Sequence, residues 1–197
     1  MNAQTPPPVA GTGAIAAFVE GALVPMDKME VHRRGLRHPA VSVFVMEGAR
    51  VLIQQRAFTK YHTPGLWANT CCTHPHWGED AAACAVRRLR EELGITGLSV
   101  VSAGEVEYRA DVGQGLTEHE VVEVFTAEAP PGLAVAANPA EVAATAWIDL
   151  YDLAARVRRW PDRFTPWLHI YLAEHLDQIF GAAGVVGAAG ARAQPAR

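Results

Sequence analysis

The chain has 197 residues, half of them apolar, which is enough for one well-buried core and too few for two enzyme-sized domains. Its formal net charge is -4 and its sequence pI about 6.0, and no run of lysines or arginines offers a stripe to a polyanion, so we expect no nucleic-acid partner. The three cysteines include the adjacent Cys71 and Cys72, which predicts reduced thiols and a cytoplasmic protein. No segment has the length of a membrane span or the pattern of a signal peptide, so we expect neither membrane association nor export.

The N-terminal third begins with a proline-rich stretch, residues 1–13, that we interpret as a disordered leader. Residues 14–24 are apolar and fit either a strand or a helix. β-branched residues at 41–46 and 51–53 predict a hairpin that turns at the intervening glycine. Residues 55–64 are polar and predict a loop at the surface.

A helix is predicted to follow Asp80, which has the side chain of a good N-cap, and to end at Gly94 in a left-handed C-cap. Apolar residues recur at spacings of three and four and define the expected buried face: Ala82, Val86, Leu89 and Leu93. The opposite face presents groups that can form ion pairs along the helix: Arg87, Arg88, Glu91 and Glu92.

Further along the chain, residues 98–108 and 120–127 alternate well enough to be strands, with a separate glycine-containing connection at 110–117. Residues 130–139 are expected to be a surface connection. Another strand is predicted at 141–148.

The last part of the chain is predicted to be helical. Asp149 caps a short helix whose buried side would carry Leu150, Leu153 and Val157, and Thr165 followed by proline opens a final helix that ends at Gly181. An Ala/Gly-rich tail, residues 181–197, is expected to be mobile. Strands and helices mixed in this order predict an α+β or α/β/α sandwich built as a single domain over residues 14–180.

The helix and the turn before it carry most of a Nudix box, in which carboxylates on one helix face hold Mg²⁺ against a diphosphate. The matching residues are Glu79, Arg87, Leu89, Glu91, Glu92, Gly94 and Ile95. Two positions differ, because Thr73 stands at the opening glycine and Arg88 at the glutamate that follows the arginine. The loss of that carboxylate argues against hydrolysis of a diphosphate bond. A surface helix with ion pairs between successive turns is the alternative interpretation.

Histidines and glutamates form a second candidate site. Glu118 and Glu120 are at strand spacing, so both carboxylates point to one face of the predicted strand. With the imidazoles of His32, His38 and His74 they could form an octahedral N/O site for Mn²⁺, Zn²⁺ or Mg²⁺. Each histidine taken alone is more simply explained as a polar surface residue.

Cys72 is the third candidate, with a buried structural thiol as the alternative. It lies in a loop-like stretch that opens the acidic helix, so its thiol would face the site. An ordinary thiol pKa of about 8.5 would leave it mostly protonated at neutral pH.

Five segments together resemble the Nudix-type (type I) isopentenyl-diphosphate Δ-isomerases: H-R-R-G-L-R-H-P-A-V-S, W-A-N-T-C-C-T-H-P-H-W-G-E, R-R-L-R-E-E-L-G, Y-R-A with T-E-H-E following, and F-T-P-W. The resemblance covers roughly residues 27–180 and combines the cysteine loop with an arginine in the box. It implies a Nudix-type α/β/α sandwich with a mixed sheet. It also implies a cytoplasmic enzyme of isoprenoid precursor synthesis, acting as a monomer or homodimer on a small diphosphate.

The resemblance implies a role for each candidate residue. Cys72 and Glu120 match the catalytic cysteine and glutamate, and Tyr108 matches the tyrosine beside that glutamate. The first metal site matches His32, His38, His74, Glu118 and Glu120, while Glu92 matches the carboxylate that holds Mg²⁺ on the substrate diphosphate. The cationic diphosphate contacts match Arg56, Lys60 and Arg88, and Trp167 matches the aromatic wall of the prenyl pocket.

The implied reaction protonates the terminal methylene of isopentenyl diphosphate and removes a proton from the neighbouring methylene. We assign protonation to Glu120, assisted by Tyr108, and deprotonation to Cys72 as a thiolate, with the roles exchanged in the reverse direction. The main rival function is a Nudix hydrolase, which would be expected to keep a carboxylate at Arg88. A catalytically silent diphosphate-binding or scaffold protein is a second rival, disfavoured because cysteine, glutamates and histidines are all present.

Overall fold

The computed structural model describes residues 14–186, so the expected leader at 1–13 and the part of the expected tail beyond residue 186 lie outside the described residues. The described part contains nine strands: β1 (Ala14–Val19), β2 (Ala22–Asp27), β3 (Arg37–Glu47), β4 (Arg50–Arg56), β5 (Trp67–Ala68), β6 (Cys71–Thr73), β7 (Val101–Gly113), β8 (Leu116–Glu128) and β9 (Val142–Asp149). It also contains five helices: α1 (Lys28–Arg34), α2 (Ala81–Leu93), α3 (Leu150–Arg159), α4 (Pro166–Glu174) and α5 (Leu176–Val186).

Strand β3 is the centre of a seven-stranded mixed sheet. It pairs in parallel with β8 and antiparallel with β4 and β6, while β7 extends the sheet beyond β8, and β5 and β9 pair with β4. Because β3 and β8 are parallel, their N-terminal ends meet at the same edge of the sheet, and this edge carries the site described below.

Helices cover both faces of this sheet, as the predicted α/β/α sandwich requires. Side chains alternate between the two faces along a strand, so Val41, Val43 and Val45 pack with α2. Phe44 and Met46 instead pack on the side of α3 and α4. Both cores are buried, and the prediction of an α+β sandwich with a mixed sheet is confirmed.

The apolar stretch that could be strand or helix forms a separate hairpin, β1 paired with β2, whose turn lies at Glu20 and Gly21, both with positive φ. Helix α1 follows directly, with Asp27 as its N-cap, accepting a hydrogen bond from the Glu30 amide. Gly35 ends it with a φ of 59°. This short helix carries the first candidate metal ligand, His32.

One predicted hairpin is confirmed, and one predicted connection between strands is not. The hairpin between β3 and β4 is confirmed, with Glu47 opposite Arg50. The expected separate connection at 110–117 is wrong, because β7 and β8 run on until Gln114 and Gly115, which both have positive φ and make a two-residue turn. Gly113 accommodates a register shift beside this turn, so the glycines serve the hairpin.

Helix α2 has the predicted ends: the Asp80 side chain accepts a hydrogen bond from the Ala83 amide at 3.0 Å, and Gly94 has a φ of 65°. Its buried face is rotated from the predicted one. Val86 is 43% exposed, whereas Cys84 and Ala85 are buried. Glu92 is buried as well, so the buried face extends to the residue that contacts Gln54.

The C-terminal helices are only partly as expected. Asp149 caps α3, and the predicted apolar residues of that helix are buried. The single last helix is wrong: His175 leaves helical geometry and ends α4, and α5 contains a break at Gly181. The bend places α5 over β7, where Gln178 donates to the carbonyls of Ala103 and Glu105. Within residues 14–186, the helices are too short or too polar to cross a lipid bilayer.

Candidate active site

Strand pairing brings distant candidate residues to one edge of the sheet. His38 is the register partner of Glu120 across β3 and β8, and Tyr108 is the partner of Glu120 across β7 and β8. Cys72 in β6 is the partner of Ser42 in β3. Backbone hydrogen bonding alone therefore places the predicted thiol, carboxylate and phenol around the N-terminal half of β3.

The adjacent cysteines have different surroundings. Cys71 is fully buried in the core beneath α2, while Cys72 packs on the opposite face of the sheet and lines a cavity shared with Trp167. The Cys72 thiol donates to Asn69 Oδ1 at 2.8 Å and lies 3.0 Å from Ser42 Oγ. Burial raises the pKa of Cys72, so the thiol is protonated when the site holds no substrate. The prediction that Cys72 rather than Cys71 faces the cavity agrees with this geometry.

His32 and His38 both direct their Nε2 atoms towards a common centre. The carbonyl of Lys28 lies 2.7 Å from His32 Nδ1, and the carbonyl of Leu36 lies 2.7 Å from His38 Nδ1. A carbonyl only accepts, so each Nδ1 carries a proton, and Nε2 of the neutral ring has a lone pair. His32 Nε2 is buried and has no hydrogen-bond partner among the described residues.

Glu120 lies against the other imidazoles. Its Oε1 is 2.9 Å from His74 Nε2 and 3.6 Å from His38 Nε2. Burial opposes ionisation of Glu120, but the neighbouring His38 and His74 imidazoles, of which His74 is within hydrogen-bond distance, outweigh it and hold the pKa of the carboxyl well below its usual range. Burial keeps His74 neutral by lowering its pKa. Tyr108 donates to Glu120 Oε2 at 2.6 Å, so the two carboxylate oxygens have different partners.

Glu118 is held between two further groups. Its Oε2 lies 3.2 Å from the Tyr108 hydroxyl, whose one proton is directed at the nearer Glu120, and its Oε1 lies 3.2 Å from His62 Nε2. Burial and the negative charge of Glu120 raise the pKa of Glu118. Glu118 and Glu120 do face the same side of β8, as predicted from their spacing.

These groups fit a divalent metal. Ligand atoms of His32, His38, His74 and Glu120 all lie within 4.8 Å of one another, and His32 is shared with a second group that contains Glu118 and His62. A cation would give the buried His32 Nε2 a partner, and the lone pair on Nε2 of a neutral His38 could bind the same cation. Imidazoles with carboxylates suit Mn²⁺ or Zn²⁺, and Mg²⁺ if water fills further positions.

Glu92 lies outside both of these groups. Its carboxylate is bound by Arg88 and by Gln54, whose amide donates to Oε2 at 2.9 Å. Both oxygens of the Glu92 carboxylate therefore already have a hydrogen-bond donor, Arg88 on Oε1 and Gln54 on Oε2. Arg88 also contacts Glu91 and, at 3.6 Å, Glu141.

The three predicted diphosphate contacts line the same cavity as Cys72 and Glu120. Lys60 forms an ion pair with Glu141, and Arg88 also approaches this carboxylate. Glu141 therefore holds the two cations side by side. Arg56 is buried, and its guanidinium lies 5.4 Å from the centre of the Trp167 ring. Trp167 is itself fully buried and donates to Asn69 Oδ1 at 3.2 Å.

The prediction of a surface loop at 55–64 is wrong for part of this segment. Arg56, His62 and Thr63 are buried and contact one another in the cavity wall, whereas Phe58 in the same segment is 72% exposed. Arg56 Nη2 lies 3.3 Å from the His62 carbonyl and 3.4 Å from His62 Nδ1. Several polar residues of this segment therefore line the cavity and do not face solvent.

Four residues of the site were not singled out from the sequence: Lys28, Ser42, His62 and Asn69. Lys28 lines the cavity one helical turn before His32, a spacing that could have drawn attention to it. Burial lowers the pKa of Lys28 to about 8. Asn69 is the shared acceptor for Cys72 and Trp167, a role that only the folded loop reveals.

The rest of the Nudix box braces the helix. Arg87 makes a two-pronged contact with Glu79, with Nε to Oε1 at 2.6 Å and Nη2 to Oε2 at 2.7 Å. It also reaches Glu91 at 3.0 Å. The hydrogen bonds from Arg87 lower the pKa of Glu79 to about 2. These contacts tie the loop before α2 to the helix, close to the cysteine pair.

Comparisons with known proteins concern the family and the fold of this chain. The family model for the NUDIX domain matches residues 36–168. An isopentenyl-diphosphate Delta-isomerase of Cereibacter sphaeroides is 67% identical over 175 residues, which cover 89% of this chain and 99% of that protein. The protein of the same name from Dinoroseobacter shibae is 66% identical over 167 residues, covering 85% of this chain and 95% of that one.

Among solved structures, a MutT NUDIX hydrolase from Burkholderia pseudomallei superposes with a TM-score of 0.55 at 23% identity, covering 71% of this chain and 98% of that one. A crystal structure from Deinococcus radiodurans gives a TM-score of 0.65 at 15% identity, covering 85% of this chain and 99% of that one. At such low identities these two likenesses concern the fold alone.

Proposed function

The chain belongs to the Nudix family and, within it, to the isopentenyl-diphosphate Delta-isomerases, and on that premise we propose that it interconverts isopentenyl diphosphate and dimethylallyl diphosphate through a tertiary carbocation. The observation that carries this mechanism is the cavity in which the Cys72 thiol and the Glu120 carboxylate, with Tyr108, stand beside three cationic side chains. Such a site can hold a small diphosphate at one end and exchange protons at the other.

The reaction adds one proton and removes one. The electron pair of the terminal double bond takes a proton at the terminal methylene, which leaves the positive charge on the neighbouring tertiary carbon. Loss of a proton from the adjacent methylene returns an electron pair to form the new double bond. Both steps need a positioned acid and a positioned base, because an unactivated alkene is a poor proton acceptor.

Glu120 and Cys72 share one proton in this proposal. In one form Glu120 is the acid and Cys72 the thiolate, and in the other Glu120 is the carboxylate and Cys72 the thiol. A turnover from isopentenyl diphosphate passes the proton from Glu120, with Tyr108 on its Oε2, to the alkene, and Cys72 removes another. Since the pKa of Cys72 is raised and that of Glu120 is lowered, the protein without substrate holds the second form, and its proton must pass from Cys72 to Glu120 before this turnover; the thiolate formed in so buried a place is a strong base.

His32, His38, His74, Glu118 and Glu120 would hold the first divalent ion, Mn²⁺, Zn²⁺ or Mg²⁺, a ligand set supported by the two groups of ligand atoms that share His32. Such an ion would supply a positive charge beside the Glu120 carboxyl, which would make that group a stronger acid. The protein's own contribution is to orient each ligand, through the carbonyl contacts of His32 and His38.

Trp167 would stabilise the carbocation. An indole face attracts a cation by about 2 kcal/mol or more when both are desolvated, and Trp167 is 1% exposed. The guanidinium of Arg56 already lies near this ring, which supports an affinity of the ring for positive charge. The hydrogen bond from the indole to Asn69 fixes the ring plane beside Cys72.

Arg56, Lys60 and Arg88 would clamp the diphosphate, together with Mg²⁺ bound through Glu92. Lys28 would add a fourth positive charge, as its place in the cavity wall suggests. Holding the diphosphate at a fixed point orients the short hydrocarbon between acid and base, which is the usual gain from positioning. Since Arg88 and Gln54 occupy the Glu92 oxygens, Glu92 would exchange one of these partners for the metal.

We also assign the catalytic domain to residues 14–180, with the leader and tail outside it, and place the enzyme in the cytoplasm as a monomer or homodimer in isoprenoid precursor synthesis. The free state of Cys71, Cys72 and Cys84 supports a reducing compartment. Size-exclusion chromatography with light scattering would distinguish the monomer from the homodimer.

Hydrolysis of the diphosphate is the competing function, and Arg88 in place of a box carboxylate argues against it. The two are separated by incubating the protein with isopentenyl diphosphate and Mg²⁺ and analysing products. We expect dimethylallyl diphosphate without released phosphate, and loss of activity when EDTA removes the metal. Phosphate release would favour the hydrolase, and neither product would favour a silent binding protein.

A further inference from the structure

His62 is a buried imidazole at the edge of the metal-binding group, and the mechanism above gives it no part. Its Nε2 lies 3.2 Å from Glu118 Oε1, and both side chains are 4% exposed. Its ring also stacks on that of His32, with 5.9 Å between centroids. A side chain so placed could either bind the cation itself or hold a residue that does.

The partners of the other ring nitrogen decide between these two roles. His62 Nδ1 lies 3.0 Å from the Thr63 hydroxyl and 3.4 Å from Arg56 Nη2. A guanidinium can only donate and the Thr63 hydroxyl can donate as well, so we assign Nδ1 as the acceptor of these contacts, which puts the proton of the neutral ring on Nε2. Nε2 is then a donor directed at Glu118 and has no lone pair to offer to a metal.

Glu118 is thereby held at both oxygens, with His62 on Oε1 and the Tyr108 hydroxyl on Oε2 at 3.2 Å. A carboxylate that binds a metal depends on such hydrogen bonds for its orientation, and their loss commonly weakens metal binding. We propose that His62 is a positioning residue of the metal site, which holds the Glu118 carboxylate through its Nε2 proton and does not bind the metal itself. This inference rests on the metal site of the proposed function.

The same ring also joins two parts of the cavity. Arg56, the buried cation proposed to bind the diphosphate, contacts His62 at both its carbonyl and its Nδ1. The chain Arg56, His62, Glu118 therefore runs from the diphosphate end of the cavity to the metal ligands. Arg56 fixes the tautomer on which the contact with Glu118 depends.

The test compares two amide substitutions of His62 in the full chain. The amide nitrogen of glutamine reaches about as far as Nε2, whereas that of asparagine reaches only about as far as Nδ1. Binding of Mn²⁺ to metal-stripped protein is measured without substrate, by the electron paramagnetic resonance signal of the free ion. Thermal melts monitored by circular dichroism confirm that each variant is folded.

We expect His62→Asn to weaken Mn²⁺ binding by about 10- to 100-fold and His62→Gln to stay within a few-fold of the wild type. His119→Asn is the matched control, because this histidine neighbours Glu118 in β8 but contacts Glu107 on the other side of the strand. Its Mn²⁺ affinity should not change. Equal affinity in His62→Asn and wild type, or equal loss in both His62 variants, would overturn the positioning role.

Nitrogen modulation in the pulsed spectrum of bound Mn²⁺ separates a positioning residue from a ligand. The modulation should be the same in the wild type and in His62→Gln, because no coordinated imidazole is removed. A lost imidazole signal in His62→Gln would identify His62 as a ligand and refute the proposal. Absence of Mn²⁺ binding by the wild type would instead refute the metal site, and this inference with it.

Discussion

Tyr108 and Glu120 stand directly opposite each other in β7 and β8, and the tyrosine hydroxyl donates a 2.6 Å hydrogen bond to Glu120 Oε2. The same hydroxyl lies 3.2 Å from Glu118 Oε2. One phenol thus links the two carboxylates of the site, and both it and Glu120 are almost completely buried.

Tyr108→Phe should lower kcat while leaving KM nearly unchanged. The phenyl ring fills the same space, but Glu120 loses a hydrogen bond worth about 1.5–3 kcal/mol to a charged group, which corresponds to about a 10- to 150-fold loss of rate. Steady-state kinetics with isopentenyl diphosphate measures both constants. A raised KM with normal kcat would mean that Tyr108 serves substrate binding instead.

The three cysteines should respond differently to replacement by alanine. Cys72→Ala should abolish isomerisation in a folded protein, because the base on one side of the substrate is removed. Cys71→Ala should keep its activity and lose about 1 kcal/mol of stability, since Cys71 is fully buried under α2. Cys84→Ala should behave like Cys71→Ala. Activity assays and denaturant melts of all three variants would distinguish these effects. An inactive Cys71→Ala variant would contradict the assignment of Cys72 as the catalytic thiol.

Arg88→Gln should weaken substrate binding. The substitution removes a cation from the cavity wall and leaves the Glu92 carboxylate, which is 4% exposed, with Gln54 as its remaining described partner. We expect KM for isopentenyl diphosphate to rise by about 10-fold, since a hydrogen bond to a charged group contributes about 1.5 kcal/mol or more. The free energy of unfolding should also fall.

Arg90→Gln is the matched control for this measurement, because Arg90 is an exposed arginine of the same helix. It should change neither KM nor stability. An unchanged KM in Arg88→Gln would contradict a role of Arg88 in binding the diphosphate.

The contact between Glu79 and Arg87 should make stability depend on pH in the acid range. Arg87 lowers the pKa of Glu79 from 4.5 to about 2. A carboxyl with a depressed pKa contributes stability that is fully present above its unfolded pKa, near 4.5, and is lost as pH falls towards about 2. Because this pair is partly exposed to solvent, the contribution should be on the order of 1 kcal/mol and should shrink in high salt.

Melting temperatures between pH 4.5 and pH 2 should therefore fall less steeply in Glu79→Gln than in the wild type. Arg87→Met should flatten the same part of the profile, and the double variant should add nothing further. Parallel profiles for wild type and Glu79→Gln would show that the pair does not contribute in this way.

Local patterns were enough to predict some parts of this site. Spacing along a strand placed Glu118 and Glu120 on one face, and capping residues fixed the ends of α2. The same alternation separates Cys71 from Cys72. These are properties of a single element, and neighbouring residues encode them.

Contacts between loops could not be predicted in this way. His62 and Asn69 lie in polar, loop-like sequence, and only the folded cavity wall shows that they are buried. The buried face of α2 was predicted from apolar spacing alone, which could not show that Glu92 is buried against Gln54 of another strand while Val86 is exposed. The end of α4 at His175 likewise follows from the packing of α5 on β7, since no glycine or proline marks it.

Isomerisation of isopentenyl diphosphate in D₂O, followed by proton and deuterium NMR, tests most directly whether Glu120 and Cys72 exchange protons with the substrate. The wild type with Mg²⁺ should form dimethylallyl diphosphate that carries deuterium in a methyl group, because the terminal methylene receives its proton from a group that exchanges with solvent. Cys72→Ala and Glu120→Gln should form no labelled product. Product without deuterium, or near-normal turnover in either variant, would contradict the mechanism.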